Sequence, residues 1–138
     1  MDIKAQKFLI IDDHFLIFQA VSRILKDLGA ETVDRAANGD EGLASLRKAQ
    51  EAGAPYTTIF LDWSMPGLSG YDVLLTCRKD KNYDALAIIM LSAETEDTNI
   101  VKALDAGATA YITKPFKPDV FLKKLDDVAH WRKKMKVG

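Results

Sequence analysis

The chain lacks the features that mark secreted, membrane-spanning and nucleic-acid-binding proteins. Only one of its 138 residues is a cysteine, Cys77, which excludes an intramolecular disulfide and a cysteine-rich zinc site. No apolar run approaches the roughly 20 residues that span a bilayer, and the first seven residues contain no signal-peptide core. The 19 basic and 20 acidic residues give a net charge of −1, so there is no polycationic surface for nucleic acid or membrane lipid. These absences predict a cytoplasmic, monomeric protein without nucleic-acid or membrane partners.

The composition that remains is typical of a globular domain. Apolar residues make up 48% of the chain and charged residues 28%. The length fits one domain, since domains run to roughly 100–200 residues. No linker, internal repeat or low-complexity stretch divides the sequence. We therefore expect residues 1–138 to form a single domain.

Short apolar runs alternate with helix-spaced patterns along the chain. The five runs with the length and composition of strands are 8–11, 32–36, 57–61, 86–91 and 109–113. Asn38 and Ser69 are suited to cap two of the intervening helices at their amino ends. Gly29 and Gly107 are suited to end two others. The sequence therefore predicts five strand–helix units.

Five strand–helix units favour a parallel sheet with helices on both faces. The runs at 8–11, 59–61 and 86–91 are continuously apolar, as in central strands that are covered on both sides. The runs at 32–36 and 109–113 include polar residues, which suit edge strands. This predicts an α/β, doubly wound, five-stranded parallel sheet of order 2-1-3-4-5 with five helices, the flavodoxin-like order. A Rossmann order stays open on the pattern alone.

Polar residues follow the predicted strands at their carboxyl ends, where open α/β sheets bind ligands. They are Asp12 and Asp13 after the first strand, Asp62 after the third, Ser92 after the fourth and Lys114 after the fifth. Two carboxylates about 4 Å apart repel each other by roughly 4 kcal/mol at an effective dielectric near 20. A divalent cation relieves that repulsion, and oxygen ligands favour Mg²⁺, with Mn²⁺ as an alternative. A carboxylate beside Mg²⁺ and a lysine is suited to form an aspartyl phosphate.

Five segments of the sequence resemble the receiver domains of two-component response regulators, most closely the stand-alone receivers of the CheY type. The segments are FLIIDD at 8–13, LDWSMPG at 61–67, LSAE at 91–94, AGA at 106–108 and YITKPF at 111–116. Each segment is weak evidence alone, but their order and spacing together are specific. The resemblance covers about residues 7–130.

The resemblance implies a switch driven by phosphorylation. Asp62 would be the phosphoacceptor, and a histidine kinase or a histidine phosphotransfer protein would supply the phosphoryl group. Asp12, Asp13, Asp62 and the backbone carbonyl of Ser64 would hold Mg²⁺. Lys114 would pair with the phosphoryl oxygens.

The resemblance also implies a route from the acceptor to a partner. The Ser92 hydroxyl would move toward the phosphoryl group, and the Tyr111 ring would turn inward behind it. The face formed by the fourth helix, fifth strand and fifth helix would then bind an output protein, which the sequence does not identify. The bond between Lys114 and Pro115 would be cis. His14, which follows the acid pair, is predicted to face solvent at the start of the first helix rather than to act as a base or metal ligand.

Two functions of other classes stay open. One is a Mg²⁺-dependent phosphotransferase or phosphatase that acts on a small molecule through an aspartyl phosphate at Asp62. Enzymes of the haloacid-dehalogenase class carry a second acid two residues after the nucleophile, where this chain has Ser64. The other is a flavodoxin-like cofactor module, which needs a Ser/Thr/Gly-rich phosphate loop where this chain has Asp12 and Asp13.

Overall fold

Strands and helices alternate from one end of the chain to the other. The computed structural model describes residues 3–137, so Met1, Asp2 and Gly138 of the predicted domain lie outside the described residues. The strands are β1 Lys7–Ile11, β2 Thr32–Ala36, β3 Thr58–Leu61, β4 Ala87–Ser92 and β5 Ala110–Thr113. The helices are α1 Phe15–Asp27, α2 Gly39–Glu51, α3 Gly70–Arg78, α4 Asp97–Asp105 and α5 Pro118–Val137. Two short 3₁₀ turns, Ile3–Ala5 and Lys81–Tyr83, precede β1 and β4.

The five strands form one parallel sheet in the order β2-β1-β3-β4-β5, which confirms the predicted order and excludes the Rossmann alternative. Ile11 at the end of β1 pairs with Leu61 at the end of β3. Ser92 at the end of β4 pairs with Thr113 at the end of β5. This register brings the residues that follow these strands to the same edge of the sheet.

Alternate side chains of the central strands point to opposite faces of the sheet and pack into two hydrophobic layers, one on each face. The layer under α1 and α5 contains stacked aromatic rings, and the residues that build it include Phe8, Phe60, Val21, Leu25 and Phe121. The layer under α2, α3 and α4 includes Leu9, Ile59, Leu46, Leu74 and Cys77. The Cys77 side chain is fully buried, and burial raises the pKa of its thiol to about 11. Cys77 is thus a packing residue.

Local sequence signals account for where the helices begin and end. The Asn38 side chain accepts a hydrogen bond from the backbone N–H of Glu41, and Ser69 forms a reciprocal capping box with Asp72. Gly107 follows α4 with a φ of +110°, a conformation that favours glycine. Within residues 3–137, no helix is both long and apolar enough to cross a membrane.

Gly70 lets α3 begin directly against the loop that follows β3. Its backbone N–H donates to the carbonyl of Trp63 at 2.8 Å. A Cβ at this position would lie 1.9 Å from the backbone oxygen of Asp62. Only glycine fits this contact without displacing the backbone of Asp62.

Two arginines bind backbone carbonyls at the amino end of the sheet. The Arg78 guanidinium donates to the carbonyls of Gly107, Tyr83 and Leu86 at 2.7–2.8 Å. Arg132 donates to two carbonyls that precede β3 and β4, at 2.7 and 2.9 Å. These contacts join α3 and α5 to the starts of the strands. Burial lowers the pKa of both guanidinium groups.

Candidate functional site

Three carboxylates meet at the carboxyl end of the sheet. The backbone N–H of Asp62 donates to the carbonyl of Ile11 at 3.0 Å, so the residue after β3 stays paired with the end of β1. The Asp12 and Asp62 side chains are almost completely buried, whereas that of Asp13 is 31% exposed. The predicted convergence of these three residues is therefore present, with Asp13 on the solvent side.

Lys114 is the cation that faces the two buried carboxylates. Its Nζ lies 2.7 Å from Asp12 Oδ2 and 3.5 Å from Asp62 Oδ2. Its backbone N–H donates to the carbonyl of Ser92 at 2.9 Å, which continues the pairing of β4 with β5. The peptide bond between Lys114 and Pro115 is cis, as the resemblance implied. The cluster therefore contains three carboxyl groups and one lysine ammonium group.

The electrostatic balance of the site raises the pKa of the Asp62 carboxyl. Burial is the main cause, and the neighbouring Asp12 carboxylate adds to it. Lys114 and a backbone hydrogen bond from Ser64 act in the opposite direction without cancelling the shift. The ionised form of Asp62 is therefore costly in the folded protein until a further cation approaches.

His14 also faces the acids, and the sequence interpretation missed this contact. Its Nδ1 lies 3.1 Å from Asp12 Oδ1, 3.2 Å from Asp13 Oδ1 and 3.8 Å from Asp62 Oδ2. The side chain is 63% exposed, so the predicted position at the start of the first helix, facing solvent, is correct as far as exposure goes. Its place directly after the acid pair was the signal that could have indicated the contact.

Arg35 supports the backbone of the acid pair from the neighbouring strand. Its Nη2 donates to the carbonyls of Asp12 and Asp13 at 3.3 and 3.4 Å, and its guanidinium lies over the ring of Phe15. Arg35 was not among the predicted site residues. Its signal was the register, because Arg35 pairs with Ile10, two residues before Asp12.

The donor atoms of the cluster fit a divalent cation. Atoms from Asp12, Asp13, His14 and Asp62 all lie within 4.8 Å of one another. Carboxylate oxygens are hard ligands of the type that Mg²⁺ prefers. The excess of negative charge and the raised pKa of Asp62 both favour the approach of a cation.

Asp13 and Asp62 of the acid cluster line an open cleft of about 670 Å³. The residues that line the cleft are Asp13, His14, Phe15, Leu16, Ile17, Asp62, Ser64, Ser92, Ala93 and Lys114. Phe15 and Leu16 are 52% and 76% exposed, so the α1 side of the cleft has an apolar rim. A reagent or partner can therefore reach Asp62 from solvent.

A short chain of hydrogen bonds leads away from the cluster along β4 and β5. The hydroxyl of Ser92 accepts from the backbone N–H of Glu94 at 3.2 Å. The carbonyl of Glu94 accepts from the Tyr111 hydroxyl at 2.7 Å. Tyr111 is only 7% exposed, so its ring already has the inward orientation that the resemblance assigned to the phosphorylated protein, and burial raises the pKa of its phenol. The structure thus brings the two predicted switch residues into one network.

The loop after β3 rests on a stack of aromatic rings. Trp63, next to Asp62, stacks on Tyr71 of α3 with ring centroids 5.2 Å apart. The Lys102 ammonium of α4 lies 4.6 Å from the centroid of Tyr71. Trp63 is therefore placed to report on events at the cluster through its fluorescence.

Comparison with known proteins gives a consistent result. The family model described as "Response regulator receiver domain" matches residues 8–126. The chain is 34% identical over 125 residues to chemotaxis protein CheY-3 of Vibrio cholerae. The aligned residues cover 91% of this chain and 92% of that protein.

Solved structures agree with the sequence comparison. The structure of chemotaxis protein CheY4 of Vibrio cholerae has a TM-score of 0.77 at 36% identity, covering 89% of this chain and 98% of that one. The CheX–CheY–BeF₃–Mg²⁺ complex of Borrelia burgdorferi has a TM-score of 0.76 at 27% identity, covering 89% of this chain and 88% of that one.

Proposed function

Because the chain belongs to the response regulator receiver domains, the phosphorylation-dependent signalling domains of two-component systems, we propose that Asp62 is its phosphoacceptor. The donor is a histidine kinase or a histidine phosphotransfer protein. The observation that carries the proposal is the convergence of Asp12, Asp13 and Lys114 on a buried carboxylate at the floor of an open cleft.

The residues support a direct transfer to the carboxylate. An oxygen of Asp62 forms a bond to phosphorus while the bond between phosphorus and the donor's imidazole nitrogen breaks. The leaving imidazole keeps the electron pair and takes a proton from solvent. Lys114, 3.5 Å from Asp62 Oδ2, is placed to pair with an oxygen of the incoming group and stabilise its charge.

A divalent cation fits beside the acceptor. We assign Asp12, Asp13, Asp62 and the backbone carbonyl of Ser64 as the residues that would hold Mg²⁺, with Mn²⁺ as the alternative. When bound, the ion would neutralise carboxylate charge and orient the phosphoryl oxygens. Asp13 is the accessible carboxylate of the set, so it can bind the ion without being drawn out of the core.

The acceptor can be tested with acetyl phosphate and Mg²⁺. Wild-type protein should gain one base-labile acyl phosphate, and Asp62→Asn should gain none because the amide oxygen is a poor nucleophile. Asp105→Asn is the matched control, since Asp105 is an exposed acid at the end of α4. Equal labelling of Asp62→Asn and wild type would refute the assignment.

The hydrogen-bonded chain of Ser92, Glu94 and Tyr111 supports a route to an output protein. If the Ser92 hydroxyl turns toward a phosphoryl oxygen, it gives up its bond from the Glu94 N–H. The Glu94 backbone also holds the Tyr111 hydroxyl, so the change reaches β5 directly. The face of α4, β5 and α5 beside it exposes Val101 and Leu104, and we propose that it binds the output protein.

This route is testable through Ser92→Ala. The variant should still accept a phosphoryl group because Lys114 and the acids remain. Its output partner should gain less affinity on addition of beryllofluoride, since a coupling between two sites is commonly worth about 1–3 kcal/mol. Ser45→Ala, in α2 and outside the hydrogen-bonded chain, serves as the control. The same gain in affinity for wild type and Ser92→Ala would exclude Ser92 as the switch.

The enzymatic alternatives receive no support from these comparisons. Receiver domains are signalling domains rather than conventional enzymes. Position 64, two residues after the acceptor, is a serine rather than the second acid of haloacid-dehalogenase enzymes. The carboxyl end of β1 carries Asp12 and Asp13, whose charge would repel the phosphate of a flavin.

A further inference from the structure

His14 adds a nitrogen donor to a cluster whose other side-chain ligands are carboxylate oxygens. We propose that His14 Nδ1 is a metal ligand of this site and that it gives the site a preference for a nitrogen-seeking transition-metal cation, such as Zn²⁺ or Ni²⁺, over Mg²⁺. The inference rests on the proposed function, because it concerns the metal site beside the phosphoacceptor Asp62.

The spacing of the donor atoms suits coordination to one ion. Ligands about 2.1 Å from a metal lie roughly 3 Å apart when they are adjacent and about 4 Å apart when they are opposite. His14 Nδ1 lies 3.1 Å from Asp12 Oδ1 and 3.2 Å from Asp13 Oδ1, which are the separations of adjacent ligands. Its distance of 3.8 Å to Asp62 Oδ2 lies between the two values.

The two carboxylate oxygens of Asp12 contact different residues. Oδ2 lies 2.7 Å from the Lys114 ammonium. Oδ1 faces His14 and accepts its backbone N–H at 2.8 Å. This hydrogen bond fixes the backbone of His14 relative to the carboxylate. The imidazole Nδ1 lies 3.1 Å from the same Oδ1, so His14 and Lys114 contact different oxygens of Asp12.

The place of His14 in α1 leaves its ring available. His14 is the N-cap residue, a position where Ser, Thr, Asp or Asn usually accepts a backbone N–H of the first turn. Its side chain makes no such hydrogen bond, and Nδ1 is directed at the carboxylates instead. His14 thus contributes a nitrogen donor to the cluster, at a position where Ser, Thr, Asp or Asn would have capped α1.

The chemistry of the donor set determines which ions benefit. Imidazole is a preferred ligand of Zn²⁺ and Ni²⁺, whereas Mg²⁺ takes oxygen ligands and keeps several waters. For a given nitrogen–oxygen site, affinity also rises along the first-row series toward copper. His14 should therefore strengthen the binding of Zn²⁺ and Ni²⁺ and leave that of Mg²⁺ almost unchanged.

A transition metal bound in this way would regulate phosphorylation. With His14 coordinated, one position that Mg²⁺ leaves to water or to a phosphoryl oxygen is filled by the protein. The ring would also stand on the cleft side of Asp62, where the phosphoryl group must enter. Low concentrations of Zn²⁺ should therefore compete with Mg²⁺ and slow phosphorylation of Asp62.

The test measures metal binding without phosphorylation, on the full chain by calorimetry. Wild type, His14→Asn and His130→Ala would each be titrated with Mg²⁺, Zn²⁺ and Ni²⁺. Asparagine is a good N-cap, so His14→Asn should fold, and its melting temperature is measured as a check. His130, on α5 beside Asp126, is the other histidine of the chain and the matched control.

We expect His14→Asn to bind Zn²⁺ and Ni²⁺ about tenfold or more weakly than wild type, since even indirect supporting groups at metal sites are worth 10–100-fold in affinity. Mg²⁺ affinity should stay within about twofold, and His130→Ala should match wild type for the tightest site. The ring ¹⁵N resonances of His14 should shift on addition of one equivalent of Zn²⁺. Equal changes in Mg²⁺ and Zn²⁺ affinity, or no shift of these resonances, would overturn the proposal.

Failure of this inference and failure of the proposed function give different results. If His14 is not a ligand, His14→Asn binds each of the three metals as wild type does, yet acetyl phosphate and Mg²⁺ still label Asp62. If Asp62 is not the acceptor, labelling is absent or unaffected by Asp62→Asn, whatever the metal titrations show.

Discussion

The two ends of the sheet differ in the partners of their partly or fully buried charged groups. At the amino end, the guanidinium groups of Arg78 and Arg132 donate to neutral backbone carbonyls that precede the strands. At the carboxyl end, three carboxylates face the single ammonium of Lys114 and the ring of His14. The first arrangement satisfies its charges with fixed dipoles, and the second leaves negative charge in excess.

The difference separates stability from function within one fold. Removing a charge at the amino end should destabilise the protein, because buried carbonyls lose their donors. Removing the Asp62 carboxylate at the other end should relieve repulsion and abolish the chemistry. Four substitutions test this contrast, and their expected effects decrease in size from Arg78→Ala to Asp62→Asn.

The largest effect is expected for Arg78→Ala. Three carbonyls would lose this donor, and a buried polar group left unsatisfied costs about 1–3 kcal/mol, so a total of about 3–5 kcal/mol is expected. For a domain of this size, the melting temperature should fall by about 10 °C or more. Arg47→Ala, at an exposed position of α2, should change it little. Thermal unfolding measures stability, and labelling by acetyl phosphate at low temperature should persist. Loss of labelling in the folded variant would show that the two ends are not independent.

Next in size is the effect of Lys114→Ala on phosphorylation. Removing one group that stabilises developing negative charge commonly costs about 100-fold or more in rate. The initial rate of labelling with acetyl phosphate should fall by that factor, whereas Lys117→Ala, an exposed lysine three residues away, should behave like wild type. A reduction of less than about threefold in Lys114→Ala would mean that the lysine serves only to balance charge.

A smaller effect is expected for Asp13→Ala on Mg²⁺ affinity. Loss of one carboxylate ligand should weaken binding by about tenfold, equivalent to about 1.4 kcal/mol. Trp63 fluorescence should report the titration in a Trp131→Phe background, which removes the other tryptophan. Asp40→Ala, an exposed acid of α2, is the control. Unchanged Mg²⁺ affinity in Asp13→Ala would contradict the assigned ligand set.

The smallest effect is expected for Asp62→Asn, which should raise the melting temperature where Arg78→Ala lowers it. The raised pKa of Asp62 means that the group favours the folded state when it is protonated, and this contribution is lost as pH rises through its folded-state pKa. In metal-free protein, Asp62→Asn should therefore melt a few degrees above wild type at neutral pH. This difference should shrink as pH falls below the folded-state pKa of Asp62. A lower melting temperature for Asp62→Asn at pH 7 would show that the acid cluster stabilises the fold.

Sequence reasoning reached most of the fold because pattern and local chemistry agree. The continuous apolar character of β1, β3 and β4 marks them as central strands, and their predicted bounds differ from the observed ones by one residue at most. Caps at Asn38 and Ser69 lie where the sequence predicted them. The convergence of Asp12, Asp62 and Lys114 followed from strand direction alone, since parallel strands end at one edge.

The parts that sequence reasoning missed depend on side-chain direction and on register. Arg35 reaches the acid pair because β2 pairs with β1 in one particular register. His14 was predicted to face solvent, and most of its surface does, but a residue at a helix N-cap can direct its ring either outward or toward the preceding turn. No periodicity in the sequence distinguishes these two directions. The contacts of Nδ1 with the Asp12 and Asp13 carboxylates show that the ring adopts the second direction.

The contact between Gly70 and the loop after β3 has a consequence for how this protein can diversify. The hydrogen bond from Gly70 to Trp63 closes residues 63–70 into a ring whose two ends are held together beside Asp62. Insertions between the exposed Pro66 and Gly67 can project into solvent without moving the acceptor, provided that Ser64 keeps its contact with Asp62 and Ser69 keeps its capping box with Asp72. The length of the chain between Pro66 and Gly67 can therefore change while the backbone of Asp62 stays in place.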